Sequence, residues 1–313
     1  MDLMVPAPVA PTLRSFADEV GGADGGPVTC VGGRTQWGIG GPPDASAREV
    51  SAPAGIVEFE PAEMVVRVHA GTTVAELDDV LAAKGQQVAL DARSPAEATV
   101  GGVLAVGRSG LRRLRYGPVR DALLEATVAM ADGSVVKAGG PVVKNVSGYD
   151  LCRVLVGSLG TIGFLAEVVL RCSPRPAVRL WFQSGPGADA FAARERLFRA
   201  SSILWDGETT WVLLEGHEAD VRSERAALGA TWTEVEGPPA LPIGGQRSLR
   251  PSQLRTLTGR FVAEIGVGTV HLDVAAAART PDATTVDLHR GIKTAFDPTG
   301  RMNPGRDAME AVA

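Results

Sequence analysis

Residues 32–41 read GGRTQWGIGG, and the strand-forming residues Val28, Thr29, Cys30 and Val31 run directly into them. Glycines without a Cβ let successive backbone N–H groups converge on one point. Such a nest binds a pyrophosphate by hydrogen bonds rather than by side-chain charge. Gly32 and Gly33 are the candidates for that contact, although the same composition serves any tight turn that needs positive φ. The spacing is neither GxGxxG opening a helix nor GxxxxGK[ST], which sets aside a Rossmann or Walker phosphate loop and with it ATP hydrolysis. Further glycine-bearing segments follow in ATVGG (98–102), RYGPVRD (115–121) and VVKNVSGYD (142–150). The two tyrosines of the chain, Tyr116 and Tyr149, lie in the last two. A ring with a hydrogen-bonding tip suits a pocket for a planar ligand, and equally a packed position with its hydroxyl satisfied by backbone.

Other chemistry is thinly supplied. Cys30, Cys152 and Cys172 are far apart and form no CxxC, which argues against a disulfide framework, structural zinc or a cluster held by this chain alone. His69, His217, His271 and His289 are scattered and read as packed or surface histidines. No metal site is expected. Arg108, Arg112, Arg113, Arg115 and Arg120 form a basic stretch that is either a solvated face or a contact for a dinucleotide phosphate or acidic partner. The net charge of −5 gives no reason to invoke nucleic acid. No apolar run approaches the roughly 20 residues that span a bilayer, and Asp2 stands where a signal peptide carries Lys or Arg. A soluble, cytoplasmic protein with reduced cysteines is expected, at 313 residues long enough for two lobes.

The elements that position these segments read as α+β. A helix is predicted over Thr12–Val20 and a strand over Met64–Gly71. Thr73 and Glu76 form a capping box for a helix that Gly85 stops. Leu123–Gly140 reads as a hairpin turning at Asp132 and Gly133, and Gly163–Pro174 as a strand. After Pro174 and Pro176 the order strand 178–182, helix 188–200, strands 203–205 and 210–215, helix 218–228 and strand 231–235 is the βαββαβ of a ferredoxin-like layer. A linker over Gly237–Gly245, two more strands and a helix over Thr285–Phe296 complete the chain.

With these segments placed, the chain resembles the FAD-linked oxidase family that shares the vanillyl-alcohol oxidase fold. The likeness is dense from about Val28 to Pro174 and returns in KTAFDPTGRMNPGR, 293–306. Within the family, GGRTQW, RYGPVRD and VVKNVSGYDL most resemble the smaller FAD-binding subunits of bacterial glycolate oxidases. The resemblance implies a PCMH-type two-part FAD-binding domain over 1–175 and a small ferredoxin-like α/β cap over 176–284, serving substrate or partner. A C-terminal helix and tail over 285–313 would return to the flavin.

Carried over residue by residue, Gly32, Gly33, Arg34, Thr35 and Gln36 match the pyrophosphate loop, with Arg34 where many relatives have glycine. Its side chain either points out or joins the phosphate. Ser94, Thr99, Val100, Gly101 and Gly102 match the segment under the flavin, and Gly107, Arg108, Ser109 and Gly110 the turn beside it. Tyr116 with Gly117, and Tyr149, become flavin-pocket candidates, and Lys144 a neighbour of the pyrimidine edge. Gly160, Thr161, Ile162, Gly163 and Phe164 match the segment on the adenine half, and Asn303 the tail residue that returns to the isoalloxazine. With no histidine in the pyrophosphate loop, noncovalent FAD is expected. Relatives that oxidise D-2-hydroxy acids carry an HxGDGNLH-like metal stretch. EIGVGTVHLD, 264–273, retains only its final histidine, His271.

The implied function is that of a FAD-binding subunit of a glycolate or other 2-hydroxy-acid oxidase or dehydrogenase complex, an oxidoreductase acting on CH–OH donors. Its partners would be a larger homologous flavoprotein subunit and an iron–sulfur subunit. No general base is assigned. A self-sufficient FAD-dependent dehydrogenase and a catalytically silent structural subunit are the alternatives.

Overall fold

The computed structural model describes residues 5–6, 9–140, 151–275 and 281–311. The chain forms two compact units, one of Met1–Arg108, Pro118–Pro174 and Thr280–Val312, the other of Ser109–Gly117 with Arg175–Arg279.

In the first unit, strands β1 (Val5–Pro6), β2 (Val28–Cys30), β3 (Arg48–Val50), β4 (Ile56–Glu60), β5 (Val65–His69), β6 (Gln86–Gln87), β7 (Leu123–Ala129), β8 (Val135–Gly139), β9 (Phe164–Arg171) and β10 (Ser173–Pro174) follow in chain order. Six make one sheet in the order β1-β8-β7-β9-β5-β4, while β2 pairs parallel with β3 and β6 with β10. The apolar, β-branched run FLAEVVL of β9 is buried along its length because β7 and β5 flank it and both its faces are covered. The predicted hairpin is β7 and β8. At its turn Gly133 has φ 80°, and the Ser134 amide and hydroxyl both donate to Asp132 Oδ1, at 2.9 and 2.6 Å.

Short helices cover this sheet. Pro11–Val20 buries Leu13, Phe16, Ala17 and Val20 against Val28, Ala129, Val135 and Phe164. Val74–Ala82 buries Val74, Leu77 and Leu81 with Val66, Val68 and Leu170. The capping box predicted for the second of these is formed: the Glu76 amide donates to Thr73 Oγ1 at 3.2 Å and the Thr73 amide to Glu76 Oε2 at 2.9 Å. The Thr73 amide and hydroxyl, both donating to Oε2, hold the Glu76 carboxyl below its ordinary pKa. Thr73→Ala removes the cap and is expected to cost about 1 kcal/mol, measured as a lower midpoint in urea with the slope unchanged.

In the second unit, β11 (Val178–Ser184), β12 (Ser202–Trp205), β13 (Thr210–Gly216) and β14 (Trp232–Val235) lie in the antiparallel order β14-β11-β13-β12. This is the arrangement of a ferredoxin-like layer. The sheet does not stop there. β15 (Gly245–Ser248), β16 (Phe261–Glu264) and β17 (Thr269–Leu272) extend it to seven strands through β12-β16-β17-β15, so the predicted linker ends in an edge strand. Helices Ala190–Arg196 and Glu218–Leu228 bury Ala193, Val221 and Leu228 with Val212 and Leu214 on one face. Trp181, Trp211, Leu213, Leu204 and Val262 form the other cluster. The first helix is shorter than predicted because Asp189 caps it at one end and Leu197, at ψ 124°, leaves helical geometry at the other. Leu114 packs with the first cluster and Leu111 with the second, which ties Ser109–Gly117 to this unit.

Candidate functional site

β2 delivers the chain into the loop 32–41, and its last ladder contact is the Val31 amide donating to Val50 O at 2.8 Å. Beyond it the amides of Gly32, Gly33, Arg34, Thr35 and Gln36 donate to no protein acceptor among the described residues, until Trp37 turns back onto Arg34 O at 3.2 Å. Arg34 has φ 55°, the left-handed conformation that glycine adopts at least cost, and this re-aims the amides on either side of it. The loop is held by close packing. A Cβ at Gly33 would stand 1.7 Å from Glu97 O, and one at Gly32 2.3 Å from Thr99 Oγ1.

The opposite wall is the start of the helix Val100–Val106. Its amides are already used: Val100 donates to Thr72 O, Gly101 to Ala70 O and Gly102 to the capping Thr99 Oγ1. An anion therefore finds its free donors on the loop rather than on this helix end. The groove between them is made of two adjoining cavities that share Gly32, Thr99, Gly102 and Asn303; Gly33, Arg34, Thr35 and Gln36 line the first, and Gly101, Gly160, Gly163 and Phe164 the second. Cys30 also faces it, and burial pushes its thiol up to about 12.

Asn303 is the stitch between the tail and this groove. It is 7% exposed with φ 49°. Its amide donates to Val28 O at 2.8 Å, its side-chain nitrogen donates to Leu159 O, and its side-chain oxygen accepts from the Thr29 hydroxyl. Both ends of the carboxamide are thus engaged within the protein.

Two arginines flank Trp37, at 4.7 Å for Arg34 and 4.5 Å for Arg306 from guanidinium carbon to ring centre. Arg34 reaches outward: its Nη2 donates to both carboxylate oxygens of Glu49 at 2.6 Å. Trp37, Ile39 and Arg306 line the groove but do not emerge from the sequence reading. Arg306 stands in the quoted NPGR tail, so its signal was present; nothing in its spacing linked it to residue 37.

Several predicted residues lie elsewhere. Val100 is fully buried, Ser94 O accepts from the amides of Glu97 and Ala98, and Gly107 ends the helix at φ 70°. Arg108 is half-buried, and burial, then the charge of Arg93, lower its pKa. Thr161 and Ile162 face a second cavity with Val286, His289 and Ile292. Ser109, Gly110, Tyr116 and Gly117 belong to the second unit. There Tyr116 lies against the guanidiniums of Arg112 and Arg115, and burial, then the carboxylate of Glu215, raise its pKa. Lys144 and Tyr149 lie outside the described residues.

His271 is 2% exposed and engaged on both ring nitrogens, with Glu264 Oε1 at 2.9 Å from Nε2 and Gln246 Nε2 at 3.1 Å from Nδ1. If the amide donates to Nδ1, Nε2 carries the proton and donates to the carboxylate. Among the described residues no three His, Cys, Asp or Glu side chains cluster as metal ligands.

The tail is anchored by Asp297, 2% exposed. Its carboxylate accepts from Lys293 Nζ at 2.5 Å and from the amides of Met302 and Arg301 at 2.8 and 3.1 Å. Burial alone would raise its pKa, but the Lys293 hydrogen bond and charge and those amides outweigh it and hold the pKa below the ordinary value. A depressed folded-state pKa adds stability that is present above the unfolded value of about 3.9 and is lost as pH falls through the folded one. Asp297→Asn is therefore expected to flatten the acid limb of a stability–pH profile between roughly pH 5 and pH 2. An unchanged slope would contradict this.

Residues 19–139 match the model of a FAD binding domain, and residues 254–306 that of the FAD linked oxidases, C-terminal domain. The chain is 33% identical over 221 residues to glycolate oxidase subunit GlcE of Escherichia coli (strain K12), covering 69% of this chain and 63% of that protein. It is 32% identical to glycolate oxidase subunit GlcD of Bacillus subtilis (strain 168), over 40% of this chain and 26% of that one. It is 36% identical to D-lactate dehydrogenase of Archaeoglobus fulgidus, over 38% and 27%. The matched stretch thus spans less than two thirds of these relatives' lengths. The fold is like that of an alkyldihydroxyacetonephosphate synthase structure, with a TM-score of 0.66 at 15% identity over 93% of this chain and 73% of that one.

Proposed function

We propose that this chain, which matches a FAD binding domain and the C-terminal domain of the FAD linked oxidases, is the FAD-carrying subunit of an oxidoreductase acting on a 2-hydroxy acid such as glycolate. It binds FAD. The observation that carries the site is the run of five loop amides, Gly32 to Gln36, with no protein acceptor among the described residues. Those five donors are enough in number for the oxygens of a pyrophosphate. Thr99, Gly101 and Gly102 form the floor opposite, and Leu159 and Phe164 supply apolar surface that excludes water.

Bound FAD supplies a two-electron acceptor for the C–H bond beside a hydroxyl. The protein's own part is to hold it noncovalently and to pass the electrons on. The chain contains three cysteines, dispersed in sequence, which supports an onward acceptor outside this chain, a role the proposal gives to an iron–sulfur subunit. His271 is taken up by Glu264 and Gln246. That supports a larger homologous flavoprotein subunit as the place where the acid is oxidised, with this flavin receiving electrons. The subunit names carried by the two glycolate oxidase relatives support a multi-subunit complex.

The test is an absorbance spectrum of the purified chain followed by anaerobic addition of glycolate or D-lactate. Flavin bands that stay oxidised until the partner subunits are added are the expected result. Bleaching by substrate in the isolated chain would instead establish a self-sufficient dehydrogenase. Absence of flavin, with no uptake of added FAD, would leave a structural subunit.

A further inference from the structure

Arg306 lines the groove from the C-terminal tail, 270 positions away in sequence from the loop's Gln36. Its Nη1 donates to the carbonyls of Trp37, Ile39 and Gly41, the last two at 2.7 Å, and its plane rests on the Trp37 ring. All three bonds use one nitrogen, so Nε and Nη2 donate to nothing among the described residues. No carboxylate pairs with it there. Arg34, the other arginine on the groove, is neutralised by Glu49. The loop thus presents five free amides beside one positive charge that is fixed in place and uncompensated.

We infer that Arg306 is a ligand of the cofactor's pyrophosphate and supplies the positive charge that the backbone nest lacks. The three carbonyls hold the guanidinium at the loop while leaving its other edge open to a phosphate oxygen, a geometry suited to paired N–H donation. Arg34 adopts a left-handed backbone for the nest but spends its charge on Glu49. This inference rests on the proposed placement of FAD in the groove.

The test is binding to the full-length apoprotein, read by flavin fluorescence, with FAD and with riboflavin, which has no phosphate. Arg306→Met is expected to weaken FAD binding about 10- to 100-fold, as loss of a charged hydrogen bond does, and to leave riboflavin unchanged. Arg306→Lys should restore part of the loss, and added NaCl should weaken FAD binding to the wild-type protein more than to Arg306→Met. Loss of FAD binding in Arg306→Met with the wild-type salt dependence retained would show that Arg306 only braces the loop, and overturn the inference; so would equal loss for FAD and riboflavin, or unchanged FAD affinity. If the methionine variant does not fold, the lysine variant and the wild-type salt dependence decide: FAD binding to the wild-type protein that ignores salt is incompatible with the inference. Wild-type protein that binds no FAD would instead defeat the cofactor placement itself.

Discussion

Gly33→Ala is expected to emerge from purification without flavin. The added Cβ would sit 1.7 Å from Glu97 O, far inside any real contact, and the obstacle is backbone at the turn before a capped helix, not a side chain that can swing aside. The loop must move away from Glu97 and Ala98, and the amides of Gly32 to Gln36 are displaced with it. Losing two charge-assisted hydrogen bonds at about 1.5 kcal/mol each weakens binding roughly 100-fold. The control is in the same loop. A Cβ at Gly38 meets nothing within 4 Å, so Gly38→Ala should bind FAD as the wild type does. Full flavin content in Gly33→Ala would remove the loop from the cofactor site.

Arg301→Met is expected to be the most damaging substitution for the first unit's stability. Arg301 is 3% exposed, and its guanidinium donates to the carbonyls of Val20, Gly21, Gly25, Gly26 and Ala131. Methionine fills much of the volume and satisfies none of the five. At about 1–3 kcal/mol for each buried group left unpaired, a loss of at least ~3 kcal/mol follows even if most of the carbonyls relax toward water. That is a large share of the roughly 5–15 kcal/mol that a domain has. Denaturant unfolding and limited proteolysis measure it: cleavage should appear in the tail and near Gly21–Gly26. Arg301→Lys should recover little, since one ammonium cannot reach carbonyls spread around a planar fork. An unfolding free energy within about 0.5 kcal/mol of the wild type would contradict this role.

The parts legible in the sequence were those set by local chemistry. The Thr73–Glu76 box, the Asp132–Gly133 turn and the βαββαβ order depend on neighbours within a few positions, and the glycine motifs drew attention to both walls of the groove. What escaped depends on contacts far apart in the chain. Nothing local to Gly245–Ser248 reveals that β17 will pair with it and lengthen the sheet. Arg34 invited a phosphate contact by position, yet Glu49, fifteen residues on, takes its charge. Arg306 and Trp37 are unremarkable until the tail runs beside β2 at Val28 and Met302. Asn303, a cofactor contact by resemblance, lines the groove, and the long-range bonds to Thr29 and Leu159 that hold it there could not be read from the sequence.

The assignment of Ser109–Gly117 to the second unit carries a consequence for how the protein is made. On a ribosome adding roughly 5–20 residues per second, Leu111 and Leu114 emerge well before Arg175–Arg279 exist to receive them, a wait on the order of ten seconds. Until then the nascent chain shows two leucines with no core of their own, a natural foothold for a chaperone. A finished N-terminal lobe does not precede the second one, because Thr280–Val312, the last part of the first unit, is made after Arg175–Arg279.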